Sequence, residues 1–487
     1  MCYIIGDMRK FLQVELLVRV IAPLLLIPLL GISIYPHLVT RSLQEARLAA
    51  SFYSYQSAST SLLKVTAFYP WRGDLWEKAG LFALKGNDPR LALELFGKVA
   101  TLRDLSTEAQ IARGDAYFEV GDVSSAIRHW QTARVAVAGA EEEIIERLLK
   151  AHLSEKDYAS IVADLKTLVA LNPNDASLYY QIGLNTAALQ PESALAYLGQ
   201  AADLNPVYSS AANTIRRSVN TGRLSEEPAY MYLMVGRALA SLDEWDLAVE
   251  AFREATIARP DYSEAWAFLA EARQHLPATE ELQDQILAEL EYAHQLDPDS
   301  LAANSFLALY WQRLKQHETA LEFLKSAASL DPSNPTFPLE IGNTLSEMGD
   351  LPAAQDAYEQ AIELAPDLPL YRRALAEFAI RHMVQLRELA LPAAQQAYEL
   401  DPNDPASLVV LGKTYYFLEG YDQALEYLQE ALAINPDYAQ AHLQLGMVYL
   451  VQGDLQKAAQ SLQLARQHAD TAALVETIDR LLDQYFP

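Results

Sequence analysis

The chain of 487 residues has a single cysteine, Cys2. It can form no internal disulfide and no zinc cluster of several thiolates. Cys2 does not follow an apolar run, so it is not placed like a lipidated cysteine. Histidines are few and scattered: the nearest two of nine stand nineteen residues apart. That excludes a His-x-x-x-His metal pair on one helix face. Among the nineteen glycines no two lie two or four apart, which excludes the G-x-G-x-x-G and G-x-S-x-G motifs. Gly412-Lys413-Thr414 imitates the end of a phosphate loop, but Ser407 stands where the first glycine is required. Basic residues are in deficit, 37 against 64 acids, for a formal net charge of -27. A phosphate backbone needs a basic footprint, so nucleic acid is not an expected partner. These absences leave no catalytic, cofactor or metal constellation. The reading is a chain that is not an enzyme, uses no cofactor and takes no small-molecule substrate.

The most hydrophobic stretch is RVIAPLLLIPLLGISIYPHLV, from Arg19 to Val39, and Val20 to Tyr35 carries no charge. A membrane span needs about 20 mostly apolar residues. Pro23 and Pro28 are tolerable in such a span. No small-x-small cleavage site follows, which disfavours a signal peptide. The expectation is therefore a single uncleaved transmembrane helix over about 16–36. Arg9, Lys10 and Arg19 precede it, against Arg41 and Arg47 after it. That slight excess places the remainder of the chain outside the cytoplasm.

What fills the rest is a repeat. Gly412 and Gly446 are 34 residues apart, as are Pro402 and Pro436, Gly80 and Gly114, and Gly236 and Ala270. The prolines 298, 332 and 366 keep the same step. Each unit has a small residue in a first apolar-periodic segment, then a turn such as Gly349-Asp350, Gly420-Tyr421-Asp422 or Gly453-Asp454. An alanine follows at an offset of twelve, as Ala92, Ala126, Ala248, Ala354, Ala424 and Ala458. Four residues on stands a large side chain: Phe96, Trp130, Phe252, Tyr358 or Leu428. Units close on Asn-Pro or Asp-Pro. Two antiparallel helices approach to roughly 8–10 Å, which small residues at their crossing permit. Proline ends the helix before it, and its Asp or Asn neighbour can cap the next. One such pair cannot bury its own apolar face, so the units stack.

The pattern resembles the tetratricopeptide repeat family, whose small, aromatic and proline positions are those just named. The resemblance covers about residues 73–206 and 226–470, with a degenerate unit around Leu148 and extra residues after Ala376. It implies an all-α solenoid, a right-handed superhelix of helix-turn-helix repeats. The organisation read from the chain is an N-terminal segment with its anchor (1–41), a connecting helix (42–72), an N-terminal array (73–206), an extra helix acting as a joint (207–225), a C-terminal array (226–470) and a capping helix (471–487).

The resemblance also implies where a partner sits. First helices line a groove, with positions three before, one after and four after the small residue facing it. The candidate groove residues are Leu309 and Gln312, Leu339 and Asn343, Arg373 and Glu377, Val409, Lys413 and Tyr416, and Leu443 and Met447. The Lys and Asn pair with which chaperone-binding members hold a terminal carboxylate is not present within one unit. The C-terminal groove is apolar, and the final helix competes with any partner for it. From Thr414 to Gln456 there are six acids and no Lys or Arg. The function expected is a non-catalytic membrane-anchored scaffold for protein–protein contact in a bacterial envelope complex. The alternatives are an accessory subunit of a membrane glycan polymerase or ligase, and a cytosol-facing co-chaperone or recruitment adaptor.

Overall fold

The computed structural model describes residues 22–136 and 141–486. Among them every regular element is helical. They fall into two compact units that divide between Arg217 and Ser218.

In the first unit α1 (Ala22–Ser51) and α2 (Tyr55–Thr66) precede the repeats. Four helix pairs follow. They are α3 (Gly73–Lys85) with α4 (Pro89–Ala100), α5 (Thr107–Glu119) with α6 (Val123–Ala136), α7 (Glu141–Glu155) with α8 (Tyr158–Leu171), and α9 (Ala176–Leu189) with α10 (Pro191–Leu204). Helix α11 (Ser209–Leu224) carries the chain from one unit to the next.

The second unit pairs α12 (Pro228–Ala240) with α13 (Trp245–Ala258), α14 (Ser263–Arg273) with α15 (Glu280–Leu296), and α16 (Leu301–Arg313) with α17 (His317–Leu330). Then come α18 (Thr336–Met348) with α19 (Leu351–Leu364), α20 (Pro369–His382) with α21 (Leu391–Leu400), α22 (Pro405–Phe417) with α23 (Tyr421–Ile434), and α24 (Ala439–Gln452) with α25 (Leu455–His468). Helix α26 (Ala472–Tyr485) follows the last pair.

The helix starts follow from capping. Asp88, Ser106, Asp157, Ser300, Asp350 and Asp454 each accept a backbone N–H from the first turn of the helix they precede. These bonds satisfy donors that no intrahelical partner can reach. Gly349 and Gly453 end their helices in the left-handed conformation, with φ of 81° and 78°, which only glycine enters without a Cβ penalty. Within a pair, the small residue meets the large one. A Cβ at Gly236 would lie 2.5 Å from the Phe252 ring, and one at Gly412 would lie 2.8 Å from Leu428. The cores are accordingly alanines interleaved with fully buried Phe96, Trp130, Phe252 and Leu428. First helices of successive units also touch: α3 with α5 in the first unit, and α18, α20, α22 and α24 in turn in the second.

The structure corrects one expectation and adds detail to two others. Among the described residues no helix is long and apolar enough to cross a membrane. The first part of the expected anchor, 16–21, lies outside the described residues. The rest is the opening of α1, which continues unbroken for 30 residues. Val39 and Ala46 on α1 are buried, and Ala46 joins the core that holds Leu62, Ala79 and Phe96. Its polar side carries an Arg41–Glu45 pair at 2.9 Å. From Val39 onward the helix packs on the body, and the single-pass, extracytoplasmic placement falls with the span. Second, the stretch read as one connecting helix, 42–72, holds the end of α1 and all of α2, separated at Tyr53, whose φ is 58°. Third, the extra residues after Ala376 form a π-turn over Leu386–Ala390, entered through Met383 and Gln385 in left-handed conformation.

The degenerate unit has its own logic. Leu148 stands where other units have glycine, and Asp164 stands sixteen residues on, where they have a ring or leucine. The large side chain has moved to the first helix and the smaller one to the second. Asp164 Oδ2 lies 2.7 Å from His152 Nδ1, one turn along from Leu148, and both side chains are buried.

Candidate functional site

The first-helix layers leave open clefts. In the first unit α3, α5, α6 and α7 enclose about 870 Å³. Its apolar wall is Leu81, Leu84, Ile111 and Phe118. Its floor is fixed by Asp115, which accepts from the Trp130 indole at 3.0 Å and from Arg147 Nε at 2.7 Å. Lys150 lies over the Phe118 ring, 5.2 Å from its centroid. In the second unit a cleft of about 820 Å³ is lined by Arg237, Phe268, Phe306 and Phe337 with several acids. Arg237 stacks on Phe268 at 5.2 Å, and Phe268 meets Phe306 edge-on.

A third cleft, about 390 Å³, opens between α20, α22 and α24. It holds four of the eleven groove residues inferred from sequence: Arg373, Glu377, Val409 and Lys413. Arg373 is ion-paired to Asp404, which also caps α22 by accepting from the N–H groups of Ala406 and Ser407. Tyr438 stands beside them, and burial raises its phenol pKa, so it remains a hydroxyl donor.

The other seven lie elsewhere. Gln312 donates to Thr344 Oγ1 at 3.0 Å, tying α16 to α18. Asn343 accepts from the Tyr358 hydroxyl at 2.7 Å, and burial pushes that phenol up to about 12. Leu339 packs on the core around Tyr358 and Leu375. Leu309 is half-buried on α16. Tyr416 makes edge contacts with Phe417 and Tyr421. Leu443 and Met447 face the final helix. Leu443 is buried in a core with Leu474 and Ile478 of α26, and Met447 packs on that core. The final helix has taken the apolar face that a partner was expected to use, because burying it against α26 removes two leucine-sized surfaces from water.

The residues that sequence reasoning missed follow one rule. Clefts are lined at six and two before the small residue as well as at three before and one after. On α20 these are Leu370, Arg373, Ala374 and Glu377, and on α22 Ala406, Val409, Val410 and Lys413. Glu108, Ile111, Ala112 and Asp115 repeat the set on α5. The set is an i, i+3, i+4, i+7 stripe, the ordinary face of a helix. That periodicity was available to find Gln440 and Gln444 on α24, which line the third cleft. Among the described residues no group of three His, Cys, Asp or Glu side chains is placed to hold a metal ion.

Family comparisons agree with the helix pairs. Models described as tetratricopeptide repeat match residues 233–281, 313–378 and 409–473. The mouse protein "Interferon-induced protein with tetratricopeptide repeats 2" is 27% identical over 193 residues, covering 36% of this chain and 40% of its own. Human "Protein O-mannosyl-transferase TMTC1" is 28% identical over 184 residues, covering 36% of this chain and 20% of its own. The chain thus spans less than half the length of these curated relatives. Among solved structures, yeast Tom70 is similar over 92% of this chain and 95% of its own, at 14% identity and a TM-score of 0.42. By these matches, the segments 233–281, 313–378 and 409–473 of this chain carry tetratricopeptide repeats.

Proposed function

We propose that the chain is a non-catalytic scaffold that holds segments of partner proteins in the clefts of its first-helix layers. The observation that carries this reading is the form of the 870 Å³ cleft. It is open, walled by Leu81, Leu84, Ile111 and Phe118, and its polar floor is already satisfied internally. Apolar walls above a rigid, hydrogen-bonded floor suit a partner's side chains better than a reacting small molecule. Among the described residues no helix is long and apolar enough to cross a membrane, so the reading rests on the clefts and not on an anchor.

A photo-crosslinking residue placed at Leu84 tests the proposal, with the same residue at exposed Glu94 on α4 as control. Purified chain is irradiated with cell extract and the adducts are mapped by mass spectrometry. The expected result is a discrete set of protein adducts at Leu84, lost on Ile111→Arg and absent at Glu94. Equal labelling at both positions sinks the proposal.

A further inference from the structure

The second unit has a small cavity separate from the clefts described above. Six residues, 274–279, join α14 to α15, where two join α18 to α19. The longer connection borders a space of about 110 Å³, closed on its other sides by α15 and the end of α16. Of its lining, Ile286 and Tyr310 are buried while Ala278 and Gln283 are exposed, so it opens to solvent past the latter two. The cavity is not on the face that lines the clefts. The stripe positions counted from the small residues Ala270 and Ala308 contribute nothing to it. Its first-helix residues are instead Arg273, Gln274, Tyr310, Arg313 and Leu314.

One side of the lining is apolar, with Leu276, Leu282, Ile286 and Leu314. The other side holds donors that are not used. Tyr310 is 7% exposed, and its hydroxyl has no hydrogen-bond partner among the described residues. Burial and the charges of Asp284 and Glu291 raise its phenol pKa, so it stays a donor. Arg273 Nε lies 3.3 Å from Glu289 Oε2, yet neither atom is in a hydrogen bond. Glu289 accepts from Gln285 at 3.0 Å through its other oxygen, and it does not line the cavity. A guanidinium carries five N–H donors. None of those on Arg273 is bonded among the described residues. Arg313 differs, because Glu271 and Gln274 occupy its fork. What the cavity leaves unused is one guanidinium and one hydroxyl beside an apolar wall.

Size and chemistry narrow the occupant. A protein cavity of about 150 Å³ lined by leucine-like side chains holds benzene, so this one has room for about five or six non-hydrogen atoms. Two donors with no free acceptor beside them select an oxygen anion. A guanidinium bonds a carboxylate more strongly than a neutral carbonyl, because the bond is charge-assisted. We propose that the cavity under the α14–α15 connection binds a short-chain carboxylate of about four carbons, as a ligand and not a substrate. Its carboxylate lies between the Arg273 guanidinium and the Tyr310 hydroxyl, and its alkyl tail lies against Leu282, Ile286 and Leu314. Bound there, it ties the connection and α15 to α16, across the boundary between two successive helix pairs. A ligand that binds only the folded form also stabilises it. The inference does not rest on the scaffold reading, because no residue of the first-helix clefts takes part.

The test is ligand-observed NMR on the full chain with isobutyrate and with isobutyramide, its uncharged counterpart. Isobutyrate is expected to bind with a dissociation constant on the order of 1 mM, as suits so few atoms. Isobutyramide binds at least about tenfold more weakly. Tyr310→Phe keeps the ring and weakens isobutyrate about fivefold. Arg273→Gln weakens it at least about tenfold and abolishes the preference for acid over amide. Glu289→Gln removes the neighbouring carboxylate, keeps Arg273, and binds isobutyrate at least as tightly as the parent. Thermal melts by circular dichroism confirm that each variant folds. The double variant Arg273→Gln, Glu289→Gln leaves no lone buried carboxylate and is expected to lose isobutyrate as the single one does. No binding by the parent below about 10 mM overturns the proposal, as does binding indifferent to Tyr310→Phe and Arg273→Gln. Equal binding of acid and amide marks a merely apolar hole and overturns carboxylate recognition. Acetyl-valine binding about tenfold tighter than isobutyrate overturns the free ligand in favour of a protein C-terminus.

Discussion

At the scale of single residues the fold depends on size matching at helix crossings. Gly236 faces Phe252 with no room for a methyl group. Gly236→Ala is expected to destabilise the second unit by about 1–3 kcal/mol, through overpacking. Urea titration should show a lower midpoint with an unchanged slope. A methyl group at Gly199 on α10 would meet nothing within 4 Å. Gly199→Ala should therefore stabilise by about 0.5–1 kcal/mol, because alanine is the better helix former. The buried Asp164 supplies a pH dependence. Desolvation raises its carboxyl pKa against the opposing hydrogen bond from His152. A carboxyl with a raised folded-state value binds its proton more tightly when folded. The stability it contributes is therefore present at pH below its unfolded value and is lost as pH rises through the folded one. Relative to Asp164→Asn, the parent chain should lose melting temperature as pH climbs out of the acid range. A pH-independent difference between the two would contradict this.

At the scale of elements, caps and covers can be separated. Asp350 only caps α19, so Asp350→Ala should cost about 1 kcal/mol. Asp404 caps α22 and also neutralises Arg373. Asp404→Ala should cost more than Asp350→Ala, because a part-buried guanidinium is left without its partner. Chemical denaturation of the two variants side by side decides it. Helix α26 is a cover whose Leu474 and Ile478 bury Leu443. Ending the chain before Ala472 should expose that face, lower the melting temperature and raise the fluorescence of a hydrophobic dye. The helix pairs themselves were legible from glycine, alanine and proline spacing. The competition between α26 and a partner for Leu443 and Met447 was stated in the sequence but not decided there. Which of two apolar faces closes on the other depends on the path of the turn between α25 and α26.

At the scale of the whole molecule the repeats make neighbour-to-neighbour contacts, so cooperativity is local. Trp130 reports on the first unit and Trp311 on the second. Single-tryptophan variants should give urea transitions that do not coincide, as expected when an array departs from two-state behaviour. Superimposable curves would show that the units unfold as one. The apolar N-terminal run shows why composition misleads at this scale. Length and hydropathy describe a segment, but not that α1 continues past it to bury Val39 and Ala46.

The sequence by itself determined the period, the pairing of small with large side chains, the caps and the absence of catalytic motifs. All of these are set by contacts within a unit or between adjacent ones, at offsets that stay constant along the chain. Tertiary structure alone decided that Arg373, Glu377, Val409 and Lys413 share a cleft while Gln312 and Asn343 are spent on internal bonds. It alone decided that Asp164 finds His152 and that Gln444 finds no partner among the described residues. Those outcomes depend on how each helix is rotated about its axis against its neighbours, a quantity that a 34-residue step leaves free.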